Sequence, residues 1–330
     1  MKEFEELDDL FNGGLDDKMD FLNEQRGKSA NDGLYKIDMK LVKDKKKGWR
    51  SVVRFLPNLT KDGKVSQSVI EKQSHYVNIK EPRELSGVFD SPRNFNESCP
   101  LTTLYYNMQN SNNAILMEKS KQLQYSKKYY AYVLVLEDEQ QPHLQGTIQI
   151  YQFGKTIKDK ISAEKSGEIS GMPCNVFDLT KGKDFVIIAK EIQTGNETYP
   201  DYKMSMFKPE TTSLPIYDKE KGVFRNIPVG VDGKVEPKIQ IKIKDFLLNR
   251  EHDLEEFAAK RLTDEQQAKI NEITQFLTGK VSTSYAKAQG SVTPTTSDFD
   301  FKDNFDNNPM HSGNDNITGI IQDEDDFFNS

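Results

Sequence analysis

Rings and cations are interleaved between Tyr125 and Lys155. Tyr125, Tyr129, Tyr130, Tyr132, Tyr151 and Phe153 stand among Lys127, Lys128 and Lys155. A flat ring offers any base a stacking face, and an ammonium group meets a phosphate, so the mixture suits an unpaired nucleic-acid strand. The elements that must carry these side chains read as a hairpin. Two arms rich in β-branched and aromatic residues flank a polar segment holding Pro142 and Gly146. The same residues could instead make a core hairpin with every ring inward. Strand alternation divides them between two faces. Val133, Val135 and Ile150 are assigned to the core, and Tyr129, Tyr130 and Tyr151 to binding.

Charge is distributed to match. The chain of 330 residues carries a formal net charge of −7, with 29% charged and 35% hydrophobic residues. Residues 1–26 contribute −6 and residues 281–330 contribute −7, so the stretch between them is basic by +6. From Lys36 to Arg54 there are eight bases and two acids. A solvated hairpin tip would explain most of them. Arg54 differs because it falls inside a strand pattern, and its planar donor fork suits phosphate. Two cysteines, Cys99 and Cys174, argue against a disulfide framework and for a reducing compartment. No apolar run approaches a membrane span, and the acidic N-terminus lacks a signal-peptide pattern.

The chain divides into three parts: an acidic arm over residues 1–33, a body over 34–280, and an acidic tail over 281–330 whose composition predicts disorder. Within the body, period-two alternation predicts strands over 34–41 and 238–244, with 49–57 read as a returning second strand and 184–190 as a buried one. Residues 202–207 read as a partner strand. Helical spacing predicts helices over 102–121, broken at Asn110–Asn113, over 155–165 and over 253–277. Residues 58–120 form an irregular inserted lobe. The expected fold is mainly β with added helices: an OB-like barrel, a natural host for strand-borne rings and a cationic groove.

Four segments resemble the single-stranded DNA-binding (helix-destabilising) proteins of T4-like bacteriophages: 52–57 (VVRFLP), 97–100 (ESCP), 129–136 with 151–161, and 184–207. No single motif is specific; their order, their spacing and the acidic tail are. The resemblance implies sequence-nonspecific binding of single-stranded DNA during phage replication, recombination and repair, in the cytoplasm of a bacterial host at viral replication sites. It places Arg54 on the phosphate backbone and Tyr129, Tyr130, Tyr151 and Tyr202 in the cleft, with Tyr125 and Tyr199 near such positions. Lys127 and Lys128 lie beside the family's basic cluster, and Phe95 where the family has another ring. In the tail, Asp323, Asp325, Asp326, Phe327 and Phe328 are the expected contacts for replication and recombination proteins, and self-association on DNA is a further expectation.

Two departures stand out. The family's zinc site uses one His and three Cys, the last two as Cys-x-x-Cys. Here His75 and Cys99 could match two ligands and Thr102 stands where the final Cys belongs. Two ligands do not hold a structural zinc, so no metal or other cofactor is expected. The family's N-terminal arm is basic and this one is acidic, with Arg26-Gly27-Lys28-Ser29 only a faint echo. No Walker-type loop, Gly-x-Ser-x-Gly, His-Glu-x-x-His or Cys-x-x-Cys occurs, so no enzymatic activity is expected. A carboxylate–metal nuclease, an RNA-binding OB protein and a scaffolding protein stay open as alternatives at this point.

Overall fold

One long strand organises the molecule. The structure, a computed structural model, describes residues 33–42, 47–79, 82, 85–168, 171–194, 197–218 and 220–279. The arm, the tail with its five expected contacts, and the cationic residues Lys43, Lys45 and Lys46 lie outside the described residues. Strand β5 (Leu123–Asp138) runs for 16 residues. On one edge it pairs antiparallel with β3 (Ile70–Val77) over residues 123–130, then with β2 (Trp49–Phe55) over 133–138. On the other edge it pairs with β6 (Ile148–Phe153), the second arm of the expected hairpin.

The sheet has nine strands in the order β1-β6-β5-β2-β7-β8, with β3, β4 and β9 off this path. Strand β1 is Leu34–Tyr35, parallel to β6. Strands β4 (Gly87–Asp90), β7 (Asp184–Thr194), β8 (Glu197–Asp201) and β9 (Met206–Phe207) complete it, and β10 (Pro215–Asp218) with β11 (Val223–Asn226) forms a separate hairpin. Among the described residues no pairing joins β1 to β8, so the sheet is open and the expected closed barrel is not formed.

Alternation along β5 explains the layers. Tyr130, Tyr132, Leu134 and Leu136 belong to one core with Val52, Ile70 and Ile150. Tyr129, Ala131, Val133 and Val135 belong to another with Val53, Phe55, Tyr151 and Phe153. Tyr129 and Tyr130 are therefore on opposite faces, as adjacent strand residues must be. Helix α3 (Lys155–Ser166) covers the second core through Ile157 and Ile161. Helix α4 (Pro237–Leu248) covers the first through Ile239, Ile243 and Leu247.

Helix α4 corrects the strand expected over 238–244. Ile239, Ile241 and Ile243 satisfy period two, but Ile239, Ile243 and Leu247 satisfy the helical i, i+4 repeat. Pro237 at the first turn suits a helix start. Ile241, 62% exposed, is the residue the helix leaves out. The first strand is also shorter than expected: after Tyr35 the chain turns into a 3-10 segment, Met39–Leu41, capped by Asp38.

The inserted lobe joins β3, β4 and two short helices, α1 (Pro100–Gln109) and α2 (Ala114–Ser120), broken where Asn110–Asn113 suggested. Its core takes Ile270, Ile273 and Leu277 from α5 (Asp264–Thr278). The single helix expected over 253–277 is a 3-10 turn, Leu254–Phe257, followed by an extended link and then α5. Thr263 and Gln266 form a capping box that starts α5. Turn and link are pinned instead: Leu254 N donates to the Tyr132 hydroxyl at 2.6 Å, and Lys260 N donates to Asp90 Oδ2 at 2.9 Å.

Candidate nucleic-acid interface

A cleft of about 280 Å³ opens where β1 stops. Tyr35 pairs with Tyr151, but beyond it Gln152 and Phe153 have no partner strand on that edge among the described residues. Side chains from β1, β3, β5, β6, α3 and the end of β8 converge there. Three cations line it: Lys36, Lys72 and Lys128. Five rings line it: Tyr35, Tyr130, Tyr151, Phe153 and Tyr202. No carboxylate is among the lining residues. Ser74, Ser126 and Gln152 add groups able to hydrogen-bond a base edge.

Register accounts for part of this convergence; Tyr35, Tyr151 and Phe153 belong to the core of the other face and border the cleft where β1 stops along β6. Lys72 lies opposite Lys128, Ser74 opposite Ser126, Ile70 opposite Tyr130, and Tyr130 opposite Gln152. Residues at alternate positions of three adjacent strands thus share one face. Two like charges directly across a ladder repel. Asp90, just behind Lys72, offsets this: Lys72 Nζ lies 3.1 Å from Asp90 Oδ1, and Ser74 Oγ donates to the same oxygen at 3.1 Å. Lys36 is exposed, and partial burial pushes its pKa down.

The rings are held rather than loose. Tyr130 stacks on Phe257 at 5.3 Å between centroids, and Tyr35 meets Tyr151 edge-on at 5.8 Å. Such pairs contribute about 0.5–1.5 kcal/mol each beyond area burial. Burial, and then the charge of Asp90, push the Tyr130 hydroxyl up to about 12. The Tyr35 hydroxyl hydrogen-bonds Asp138, and burial with that neighbour raises its pKa well above the usual tyrosine range.

The expected site residues fall into three groups. Lys128, Tyr130, Tyr151 and Tyr202 line the cleft. Tyr125, Lys127, Tyr129, Lys155 and Tyr199 do not. Tyr125, Lys127 and Tyr129 are on the opposite face of β5, where Tyr129 stacks on Phe153 at 5.9 Å and Lys127 pairs with Glu71 at 2.8 Å. Lys155 pairs with Asp159 at 2.5 Å on α3. Tyr199 is half-buried on β8, opposite Ile192.

Arg54 forms the third group by itself. Its side chain is 0% exposed. Nη1 donates to Asp184 Oδ1 at 3.1 Å and to Thr212 Oγ1 at 3.0 Å, and Nη2 donates to the carbonyls of Thr212 and Asp178. Gly182 makes room for it, since a Cβ there would lie 2.7 Å from Nη2. Nearby, Lys183 and Glu164 form a second buried ion pair. In this conformation the guanidinium is out of reach of any phosphate. It ties β2 to the segments flanking β7. Phe95 is covered too, by the Arg261 guanidinium at 4.6 Å.

Sequence reasoning missed Lys36, Lys72, Ser126 and Gln152. The signal was available for Lys72 once residues 70–77 are recognised as a strand paired with the ring-bearing arm. In the lobe, burial pushes the Cys99 thiol up, but hydrogen bonds with His75, Thr102 and Ser91 outweigh it and bring it down to about 6. Among the described residues no helix is long and apolar enough to cross a membrane.

An open sheet carrying a cationic, ring-lined cleft defines a class of protein able to hold a polyanion with flat rings. Comparison with known proteins gives the family. A profile described as gp32 DNA binding protein like matches residues 47–277, and the chain belongs to that family. Similar curated relatives are the single-stranded DNA-binding proteins of Enterobacteria phage T4 and Enterobacteria phage T2. The first is 28% identical over 189 residues, covering 55% of this chain and 58% of the relative. The second is 27% identical over 179 residues, covering 51% and 54%. The chain therefore spans just over half the length of these curated relatives.

Proposed function

We propose that the protein binds single-stranded DNA without regard to sequence, in the cleft beside β6, and has no enzymatic role. One observation carries this reading: three lysines and five rings, with no carboxylate, line a single cleft. Lysines there neutralise phosphates and release counterions, while Tyr202, half-buried where the other four rings are buried, gives a base a surface to stack on. With about 0.7 of a unit of log-log salt slope per phosphate neutralised on a single strand, Lys36, Lys72 and Lys128 alone would supply a slope of roughly −2. The sheet acts as an opened counterpart of an OB-type barrel. Membership of the family supports a role in protecting unpaired template in phage replication, recombination and repair, in the bacterial host's cytoplasm.

The charge split supports a role for the ends of the chain. The acidic tail competes for the cationic cleft when DNA is absent. When displaced, it presents Asp323, Asp325, Asp326, Phe327 and Phe328 to replication and recombination proteins. The arm, acidic where the resemblance expects bases, would contact a neighbouring copy differently from the family's pattern.

Titration of labelled oligo-dT over a series of salt concentrations tests the reading. Expected is tight binding that weakens steeply with salt; absent or salt-independent binding contradicts it. Equal competition by oligo-U would move the reading to RNA. Removing residues 281–330 should strengthen binding, most at low salt.

A further inference from the structure

Four polar side chains meet in the core of the lobe, where the resemblance expects a metal. His75 comes from β3, Ser91 from the end of β4, and Cys99 and Thr102 from the first turn of α1. Their exposures are 1%, 1%, 3% and 4%. His75 Nε2 and Thr102 Oγ1 are 2.8 Å apart. The Cys99 sulfur has His75, Thr102 and Ser91 as hydrogen-bonding neighbours. Flanking rings fix the imidazole: Phe89 lies opposite His75 on β4, and Tyr125 lies opposite on β5 with ring centroids 5.4 Å apart.

The donor set does not fit a structural zinc. Such sites close a tetrahedron with thiolate, imidazole or carboxylate. Here one imidazole and one thiol are joined by two hydroxyls, which are neutral and weak ligands. Among the described residues no group of three or more His, Cys, Asp or Glu side chains could hold a metal. The imidazole meets the cluster through Nε2, and its buried Nδ1 has no hydrogen-bond partner.

We propose that His75, Ser91, Cys99 and Thr102 form a hydrogen-bonded tetrad that fastens α1 to the β3–β4 pair without a metal ion. The tetrad occupies four corners of a metal-like site, and two hydroxyls stand where two further thiolates would complete it. The lobe folds with or without zinc in the medium. Restoring sulfur at Ser91 and Thr102 together turns the same cluster into a metal site, because only the donor chemistry is lacking.

Three measurements on the full chain decide this. The first is metal content of the purified protein, with thermal unfolding in the presence and absence of EDTA. Expected are far less than one metal ion per chain and an unchanged Tm. One zinc per chain with a Tm lowered by EDTA would overturn the proposal. The second is Co2+ titration of the doubly substituted protein, Ser91→Cys with Thr102→Cys. Expected are the visible d–d bands of tetrahedral thiolate-bound cobalt and a Tm that EDTA lowers, neither of which the unsubstituted protein shows. A folded double variant that binds no Co2+ would show that the four side chains do not converge on one point. The third is Thr102→Val, expected to lower Tm by about 2–4 °C through loss of one buried hydrogen bond; no change would remove the tetrad's fastening role. Should the double variant not fold, metal content and EDTA response of the unsubstituted chain still decide.

Discussion

Two groups of cations on or beside one sheet have different surroundings. Arg54 and Lys183 are enclosed by Asp184, Thr212, the Asp178 carbonyl and Glu164. Lys36, Lys72 and Lys128 line a cleft with rings; Asp90 behind it pairs with Lys72, and Lys128 is buried. The first group fixes β2, β7 and α3 relative to one another. The second presents positive charge where β1 stops and leaves the end of β6 open. Residue type does not separate them. What separates them is place: the first group is closed in between β2, β7 and α3, and the second borders the cleft beside β6.

The contrast breaks most visibly at Arg54. Arg54→Ala removes the buried partner of Asp184 and Thr212 but leaves Lys208 on Asp184, and unfolding in urea should show a loss of about 1.5–3 kcal/mol. Binding of oligo-dT by the folded fraction should stay close to that of the unsubstituted protein. Weakened binding with unchanged stability would return Arg54 to the DNA contact that sequence resemblance implied.

Next in size is the loss of a cleft ring. Tyr202→Ala removes a half-buried ring at the cleft's end. Fluorescence titration should show affinity lower by roughly 1–3 kcal/mol, the range for one base–ring stack, with little change in Tm. A fall in Tm without a fall in affinity would make Tyr202 a packing residue only.

A smaller effect sharpens the electrostatic side. Burial lowers the Lys36 pKa, so its proton is lost at lower pH than an ordinary lysine's. Its phosphate contact is complete in neutral solution and fades as pH rises toward the lysine range. Affinity measured against pH should therefore decline earlier in the unsubstituted protein than in Lys36→Arg, whose guanidinium keeps its charge. Superimposable profiles would take Lys36 out of the site.

The core strands were legible in the sequence because their alternation has a physical cause that survives folding. Val133, Val135 and Ile150 are buried, and the two arms of the hairpin pair as their patterns suggest. Helix α3 was legible from Ile157 and Ile161. Helix α4 was not, because three isoleucines at alternate positions satisfy both periods until Leu247 is counted. The site was half legible. Lys128 and Tyr130 were found together with Lys127 and Tyr129 because composition cannot tell the two faces of a strand apart. Lys72 was missed because its place depends on the register between β3 and β5, a long-range pairing that local patterns do not encode. The partners of Arg54 were not legible for a related reason: its acceptors come from residues 178–212, far along the chain.

Lys127 and Lys128 test the central claim most directly. They are consecutive in sequence and on opposite faces of β5, one paired with Glu71 away from the cleft and the other lining it. Oligo-dT affinity should be measured against salt for Lys127→Ala and Lys128→Ala. Lys128→Ala is expected to weaken binding and to flatten the log-log salt slope by about 0.7, with Lys127→Ala close to the unsubstituted protein. A loss at Lys127 equal to or larger than the loss at Lys128 would contradict a DNA site in this cleft.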